Sequence, residues 1–390
     1  MSIDLSVPSV ELLHERRSEK WALFERDVLS VTIAEMDYPL AEPVAQALRA
    51  AIGRHGLGYA PPAPASLRRA FAGFAARRLR WVVDEGQVTL AGDVMQGLVE
   101  LCRAICAPGD SVGFATPAYP PFFRELPRAG VALTGIDLHR DGALELDALD
   151  AALNAGIRVL VLVNPHNPTG LVLSRSELAM IAERCAEREV WVLADEIHAP
   201  LTLAGARHTP WLEVSDAARD RGIALTSASK AFNLPALKAA LIVTAGTRAR
   251  ELVASLAELH DHAGLLGVIA AEAAFTDGDD WLDAVIDQLD RNREQLEREL
   301  PRELPEIRWT PPRATYLAWL DCTPLGLDPD PAEVFLEQGR VALSPGPGYG
   351  RQGAGHARLN FATSPELLSE AVRRMGTAVG ARAARRGVRD

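Results

Sequence analysis

Short runs of Val, Leu and Ile alternate, through the first two thirds of the chain, with longer stretches in which apolar residues recur every three or four positions. The runs read as strands over residues 87–92, 111–115, 131–138, 158–164, 190–196, 223–228 and 237–245. Several, such as VLVLV, are continuously apolar, the pattern of strands buried on both faces of a parallel sheet. Between them DVMQGLVELCRAI and SRSELAMIAERCAERE have helical periodicity, and Ser174 and Glu177 stand in capping-box relation at the start of the second. The alternation predicts an α/β domain over residues 46–270, built on a mostly parallel seven-stranded sheet.

Beyond residue 250 the pattern changes. One helical stretch is expected over about 250–300, followed by IRWTPPRATYLAWLD, a helix in PAEVFLEQG, strands in VALSPG and ARLNFAT, and a final helix. This reads as a smaller α+β domain over residues 271–390, with the segment 1–45 packing back onto it. The Arg/Ala-rich end, VGARAARRGVRD, is expected to fray.

Composition narrows the function classes. At 390 residues the chain is long enough for two or three domains, and 48% hydrophobic with 24% charged residues is a globular balance. A net charge of -11 argues against a nucleic-acid surface, which needs clustered Lys and Arg. The basic stretch RRAFAGFAARRLR is spaced like the solvated face of an amphipathic helix, and no partner follows from it. The amino terminus lacks a basic region followed by an apolar run, and no apolar run approaches the roughly 20 residues of a bilayer span, so the expectation is a cytoplasmic protein with no membrane contact. Cys102 and Cys106 lie one helical turn apart, but Cys185 and Cys322 have no ligand-like neighbours; all four read as small core residues, with no metal site.

In sheets of this kind ligands bind beyond the carboxyl ends of the strands. Past successive strands stand AGDVMQG, where the amides of Gly92, Asp93 and Val94 open a helix and suit an anion; TPAYPPF with Tyr119; NPHNPTG with Asn167; DEIH with Asp195 and His198; and ASK with Lys230. Each has an ordinary structural explanation: Asp195 as a cap, Asn167 as a turn residue, His198 as a bonded core histidine, Lys230 as a surface lysine. As a set, a carboxylate, an asparagine, an aromatic, an amide-rich helix start and a lysine suit a phosphorylated pyridine aldehyde.

NPHNPTG, ADEIH, SASKAFNLPALKAA and RLNFAT resemble, in this order and over nearly the whole chain, the fold type I enzymes that use pyridoxal 5'-phosphate, the aminotransferase class I/II superfamily. With AEMDYP near the start, the set looks like the group of cystathionine β-lyases typified by MalY and PatB, from whose usual ADMDF it departs at Glu35 and Tyr38. The resemblance implies an aspartate aminotransferase-like fold and a homodimer with shared active sites.

It also implies roles. Lys230 would be the covalent anchor of the cofactor and the general base, Asp195 the partner of the pyridine nitrogen, Asn167 a donor to the ring's phenolic oxygen, and Tyr119 a stacking ring. The phosphate would rest on Gly92, Asp93 and Val94 with the Ser227 hydroxyl; Lys238 would be either a further phosphate contact or a plain strand lysine. Tyr59 would reach the neighbouring subunit's phosphate. Arg358 would grip the substrate α-carboxylate, with the backbone of Ala34 and Glu35 closing over it, and His198 takes a place where transaminases commonly carry a tyrosine. The activity implied is α,β-elimination from cystathionine or another S-substituted cysteine. Amino-group transfer to a keto acid, and processing of a bulky S-cysteine conjugate with decarboxylation or oxidation, stay open as alternatives.

Overall fold

All seven expected strands pair into one sheet. The computed structural model describes residues 3–62, 64–138, 144–256 and 259–386, the last six as backbone only. The strands are β1 (Val88–Ala91), β2 (Ser111–Thr116), β3 (Ala132–Asp137), β4 (Ile157–Val163), β5 (Trp191–Asp195), β6 (Gly222–Thr226) and β7 (Ala240–Thr244). Their order is β1-β7-β6-β5-β4-β2-β3, and every pairing is parallel except the two made by β7. Strands β5, β6 and β7 are buried along their whole length, as their unbroken apolar runs require. Side chains alternate between two cores: Val192 and Ala194 join one with Leu160, Ala224 and Leu241, while Trp191 and Leu193 join the other with Phe114, Leu98 and Ile242.

The helix Arg175–Glu187 begins with the capping box, both reciprocal bonds of Ser174 and Glu177 being present. The single helix expected over 250–300 is instead three: Thr247–Ala254, Leu265–Asp277 and Asp279–Glu303. The second break falls at Gly278, where an added Cβ would lie 2.4 Å from the Ala274 carbonyl oxygen and 2.5 Å from the Phe232 ring. Only glycine admits that approach, and the chain turns there before the long helix continues.

Strands β8 (Arg308–Trp309), β9 (Leu317–Asp321), β10 (Ser344–Pro345) and β11 (His356–Asn360) form a second, antiparallel sheet in the order β10-β11-β9-β8. The run VALSPG serves two sheets, because Val341–Ala342 pairs in parallel with Leu29–Ser30 while Ser344–Pro345 pairs with β11. The amino-terminal segment is fixed further by a buried ion pair, Lys20 Nζ to Asp37 Oδ2 at 2.9 Å, and by the Trp21 indole N–H donating to Asp37 Oδ1 at 2.9 Å. The final helix, Pro365–Arg386, includes most of the tail expected to fray; residues 387–390 lie outside the described residues. Among the described residues no helix is long and apolar enough to cross a membrane.

Candidate active site

Because β7 alone is reversed, the chain leaves β1, β2, β4, β5 and β6 at one edge of the sheet and enters β7 there. That edge carries Gly92, Tyr119, Asn167, Asp195, Lys230 and, just before β7, Lys238.

Lys230 stands on the short helix Ala228–Ala231, and its Nζ donates to the Ala34 carbonyl at 3.2 Å. Burial pulls this amine down to about 8, the Arg358 guanidinium helps, and Glu35 and Asp195 oppose. Asp195, the last residue of β5, is 6% exposed, and burial pushes its carboxyl up to about 6. The Ile197 N–H, 3.1 Å from Oδ1, and the Lys230 charge work against that rise, while Glu196 adds to it. Lys230 and Asp195 sense each other but form no ion pair. A buried acid and a half-buried amine with shifted protonation thus lie at one sheet edge without an ion pair between them, a pattern that marks a candidate functional site.

Arg358 on β11 reaches into this edge. Its Nη1 donates to Asn167 Oδ1 at 3.1 Å, its Nη2 to the Thr32 carbonyl at 3.4 Å and Ser344 Oγ at 3.3 Å, and its guanidinium lies 5.2 Å from the Tyr349 ring centre. Arg358 Nε is buried without a hydrogen bond, and the amide nitrogen of Asn167 makes none among the described residues. Tyr119 packs edge-on against Phe122, and burial raises its hydroxyl. His198 is buried with Nδ1 unbonded and its ring edge-on to Tyr316; burial pulls it down to about 3, with Lys230 and Arg358 contributing, so it is a neutral imidazole.

At the opening of the helix Val94–Ile105, several expected donors are already engaged. The Gly92 N–H donates to Gln96 Oε1 at 2.9 Å, so the expectation of a free amide there is corrected. Asp93 caps the helix through Gln96 N–H and holds Lys238 Nζ at 2.9 Å, leaving the amides of Asp93 and Val94 as the unengaged ones. Ser227 Oγ donates its single hydrogen to the Ala239 carbonyl at 2.7 Å, so it is not free to donate to a phosphate; the Ser229 hydroxyl makes no bond among the described residues. Glu35 departs from expectation too. Its N–H donates to the Ile33 carbonyl, and its own carbonyl accepts from Asn360 at 2.7 Å. Ala34 presents its carbonyl to Lys230 and, at 2.9 Å, to the Tyr316 hydroxyl. Tyr59 is not brought into the cluster; it is fully exposed and bridges Gly264, whose N–H donates to the Lys238 carbonyl at 2.6 Å.

Sequence reasoning passed over Tyr316, Tyr349, Ser344 and Gln96. The sequence held no local signal for the two tyrosines; only the fold brings Tyr119, Tyr316 and Tyr349, three of the chain's five, to interact electrostatically with Arg358. Among the described residues no group of three or more His, Cys, Asp or Glu is placed to hold a metal ion. The residues present fit a phosphorylated pyridine aldehyde: a depressed amine for the aldehyde, a cation-starved carboxylate for a protonated ring nitrogen, an asparagine donor, and two helix-start amides beside Lys238 for the phosphate.

The family of class I and II aminotransferases matches residues 26–375. A cystathionine beta-lyase from Corynebacterium glutamicum is 34% identical over 372 residues, covering 95% of this chain and 99% of its own. The cystathionine beta-lyase PatB of Bacillus subtilis is 33% identical over 90% of this chain and 93% of its own. The crystal structure of a PLP-bound C-S lyase from Staphylococcus hominis superimposes with a TM-score of 0.85 at 27% identity, over 90% of this chain and 94% of that one. The loops that gather Lys230, Asp195 and Arg358 at one sheet edge are thus those of the class I and II aminotransferase family, to which the chain belongs, in the group typified by MalY and PatB.

Proposed function

We propose that this chain is a pyridoxal 5'-phosphate-dependent carbon-sulfur β-lyase that cleaves cystathionine or another S-substituted cysteine into thiol, pyruvate and ammonia. The observation that carries the reading is the Lys230 amine, pulled down to about 8 and held by the Ala34 carbonyl at the edge where Arg358 projects. The cofactor, when bound, supplies the electron sink for the substrate's α-carbon. Arg358 exchanges its bonds to Asn167, Thr32 and Ser344 for the substrate carboxylate and so fixes which α-carbon bond is broken. Lys230, neutral in a useful fraction of molecules, takes the α-proton as the Cα–H bond breaks. The Cβ–S bond then breaks with its electron pair leaving on sulfur, Lys230, now carrying the α-proton, can return a proton to that thiolate, and the released 2-aminoacrylate takes up water to give pyruvate and ammonia. Asp195 would keep the ring nitrogen protonated, and neutral His198 and Asn167 would serve as hydrogen-bond donors to the ring.

The exposed run Ile52, Leu57 and Tyr59, joined through Gly264 to the backbone of Lys238, supports a homodimer in which Tyr59 completes the neighbour's phosphate site. Four unpaired cysteines, three of them buried, favour the cytoplasm. The test is to incubate cofactor-loaded protein with cystathionine and with S-alkyl cysteines, without any keto acid, and to quantify pyruvate and thiol. Equal amounts over many turnovers establish the lyase. Turnover only after a keto acid is added would make the chain an aminotransferase, and silence in both assays would leave the bulky conjugate as the substrate to try.

A further inference from the structure

A cavity of about 440 Å³, lined by none of Lys230, Asp195, Asn167, His198 and Arg358, lies between the end of the helix Ala65–Phe74, the loop after His198 and the long helix at Ile286. The helix does not continue regularly past Phe74. It widens into a π turn, Ala75–Leu79, that closes on Arg80 with φ +54°. Arg77 and Arg80 stay exposed and Arg78 half-buried, and with Arg207 and His208 they line the cavity.

Four guanidinium groups thus line one cavity, and no carboxylate is among its described lining residues. Two of the four are neutralised nearby: Arg77 Nε lies 2.8 Å from Asp279 Oδ2, and Arg78 pairs with Asp283. Arg80 and Arg207 have no ion pair or hydrogen bond among the described residues. His208 adds an independent observation. Its side chain is 2% exposed and neither ring nitrogen makes a hydrogen bond, Nε2 standing 3.5 Å from Glu196 Oε1. Two exposed guanidinium groups without an ion pair among the described residues, beside a buried imidazole with neither ring nitrogen hydrogen-bonded, form a positive face on a chain of net charge -11.

We propose that this cavity binds a small anion carrying two or more oxyanion groups, of the phosphorylated or polycarboxylate class. The volume suits a small metabolite, planar guanidinium forks match both phosphate and carboxylate oxygens, and His208 supplies a further donor at the buried end.

The test uses the protein saturated with pyridoxal 5'-phosphate, so that the cofactor's own phosphate site is filled. Pyrophosphate, citrate and, at matched ionic strength, sodium chloride are titrated in turn by calorimetry. Saturable binding of pyrophosphate or citrate, weakened at least tenfold in Arg80→Gln/Arg207→Gln, is the expected result, and the tighter of the two identifies the phosphorylated or the carboxylate class. Both arginines are exposed, so the double variant should keep its unfolding temperature without anion, and a His208→Asn variant that stays folded should weaken binding as well. Absence of saturable binding, a response that chloride reproduces, or undiminished binding by the double variant overturns the proposal.

Discussion

The guanidinium of Arg358 donates to the side-chain oxygen of Asn167 at 3.1 Å, joining the second sheet to a loop of the first across 191 residues. With Thr32, Ser344 and Tyr349 it forms a ready-made seat for one planar cation. On the proposed reading, a substrate carboxylate would meet a fork that is already oriented.

Arg358→Lys keeps the charge but loses that fork. We expect KM for an S-substituted cysteine to rise on the order of 100-fold, with kcat falling much less and the cofactor's visible band unchanged. Steady-state kinetics beside an absorption spectrum check this; a collapse of kcat at unchanged KM would place Arg358 elsewhere in the mechanism.

Cofactor uptake should report the protonation of Lys230. An amine at about 8 rather than the ordinary 10.5 is about one tenth neutral at pH 7 and about nine tenths neutral at pH 9. The rate at which the visible band grows when pyridoxal 5'-phosphate is added to cofactor-free protein should climb about tenfold between those values and then level off. A rate still rising tenfold per unit above pH 9 would mean an ordinary lysine.

Asp195 makes the opposite kind of prediction, on stability. Its carboxyl holds a proton more tightly folded than unfolded, so ionising it costs the cofactor-free fold about 3 kcal/mol above pH 6, a penalty that fades as pH falls towards 4. Asp195→Asn should therefore make the cofactor-free protein more resistant to denaturant at pH 7.5, with the advantage shrinking at pH 4.5, while cofactor affinity drops. Denaturant midpoints at the two pH values decide it.

Lys20 and Asp37 are both fully buried, and removing one partner strands the other. Lys20→Met should cost about 3–5 kcal/mol in equilibrium unfolding. The double variant Lys20→Met/Asp37→Asn should recover part of that loss; a single variant as stable as the parent would show that Asp37 is satisfied without Lys20.

The sheet was legible because buried parallel strands are written as unbroken apolar runs, and β4, β5 and β6 begin and end within one or two residues of the expected positions. Lys230, Asp195 and Asn167 were legible because reactive side chains cluster where such strands end. Bonds that only the folded chain creates were not. Nothing local reveals that the Ser227 hydroxyl proton goes to Ala239, that Gln96 turns back onto Gly92, or that Ala34 offers Lys230 a carbonyl across 196 residues. In RRAFAGFAARRLR the solvated reading holds, Arg69, Arg77 and Arg80 being exposed, but the spacing did not show that the backbone leaves the α-helix at Ala75.

The parallel pairing of Leu29–Ser30 with Val341–Ala342, and the grip of Asn360 on the Ile33 and Glu35 carbonyls, bear on how the protein is made. The seven-stranded sheet is complete once residue 244 has been synthesised, but the strand that clasps the Ala34 segment comes from the last third of the chain. A ribosome-bound chain can therefore assemble the sheet while Lys230 still lacks the carbonyl that positions it. Lys230 and the Ala34 carbonyl are fixed against each other only once synthesis has passed residue 360.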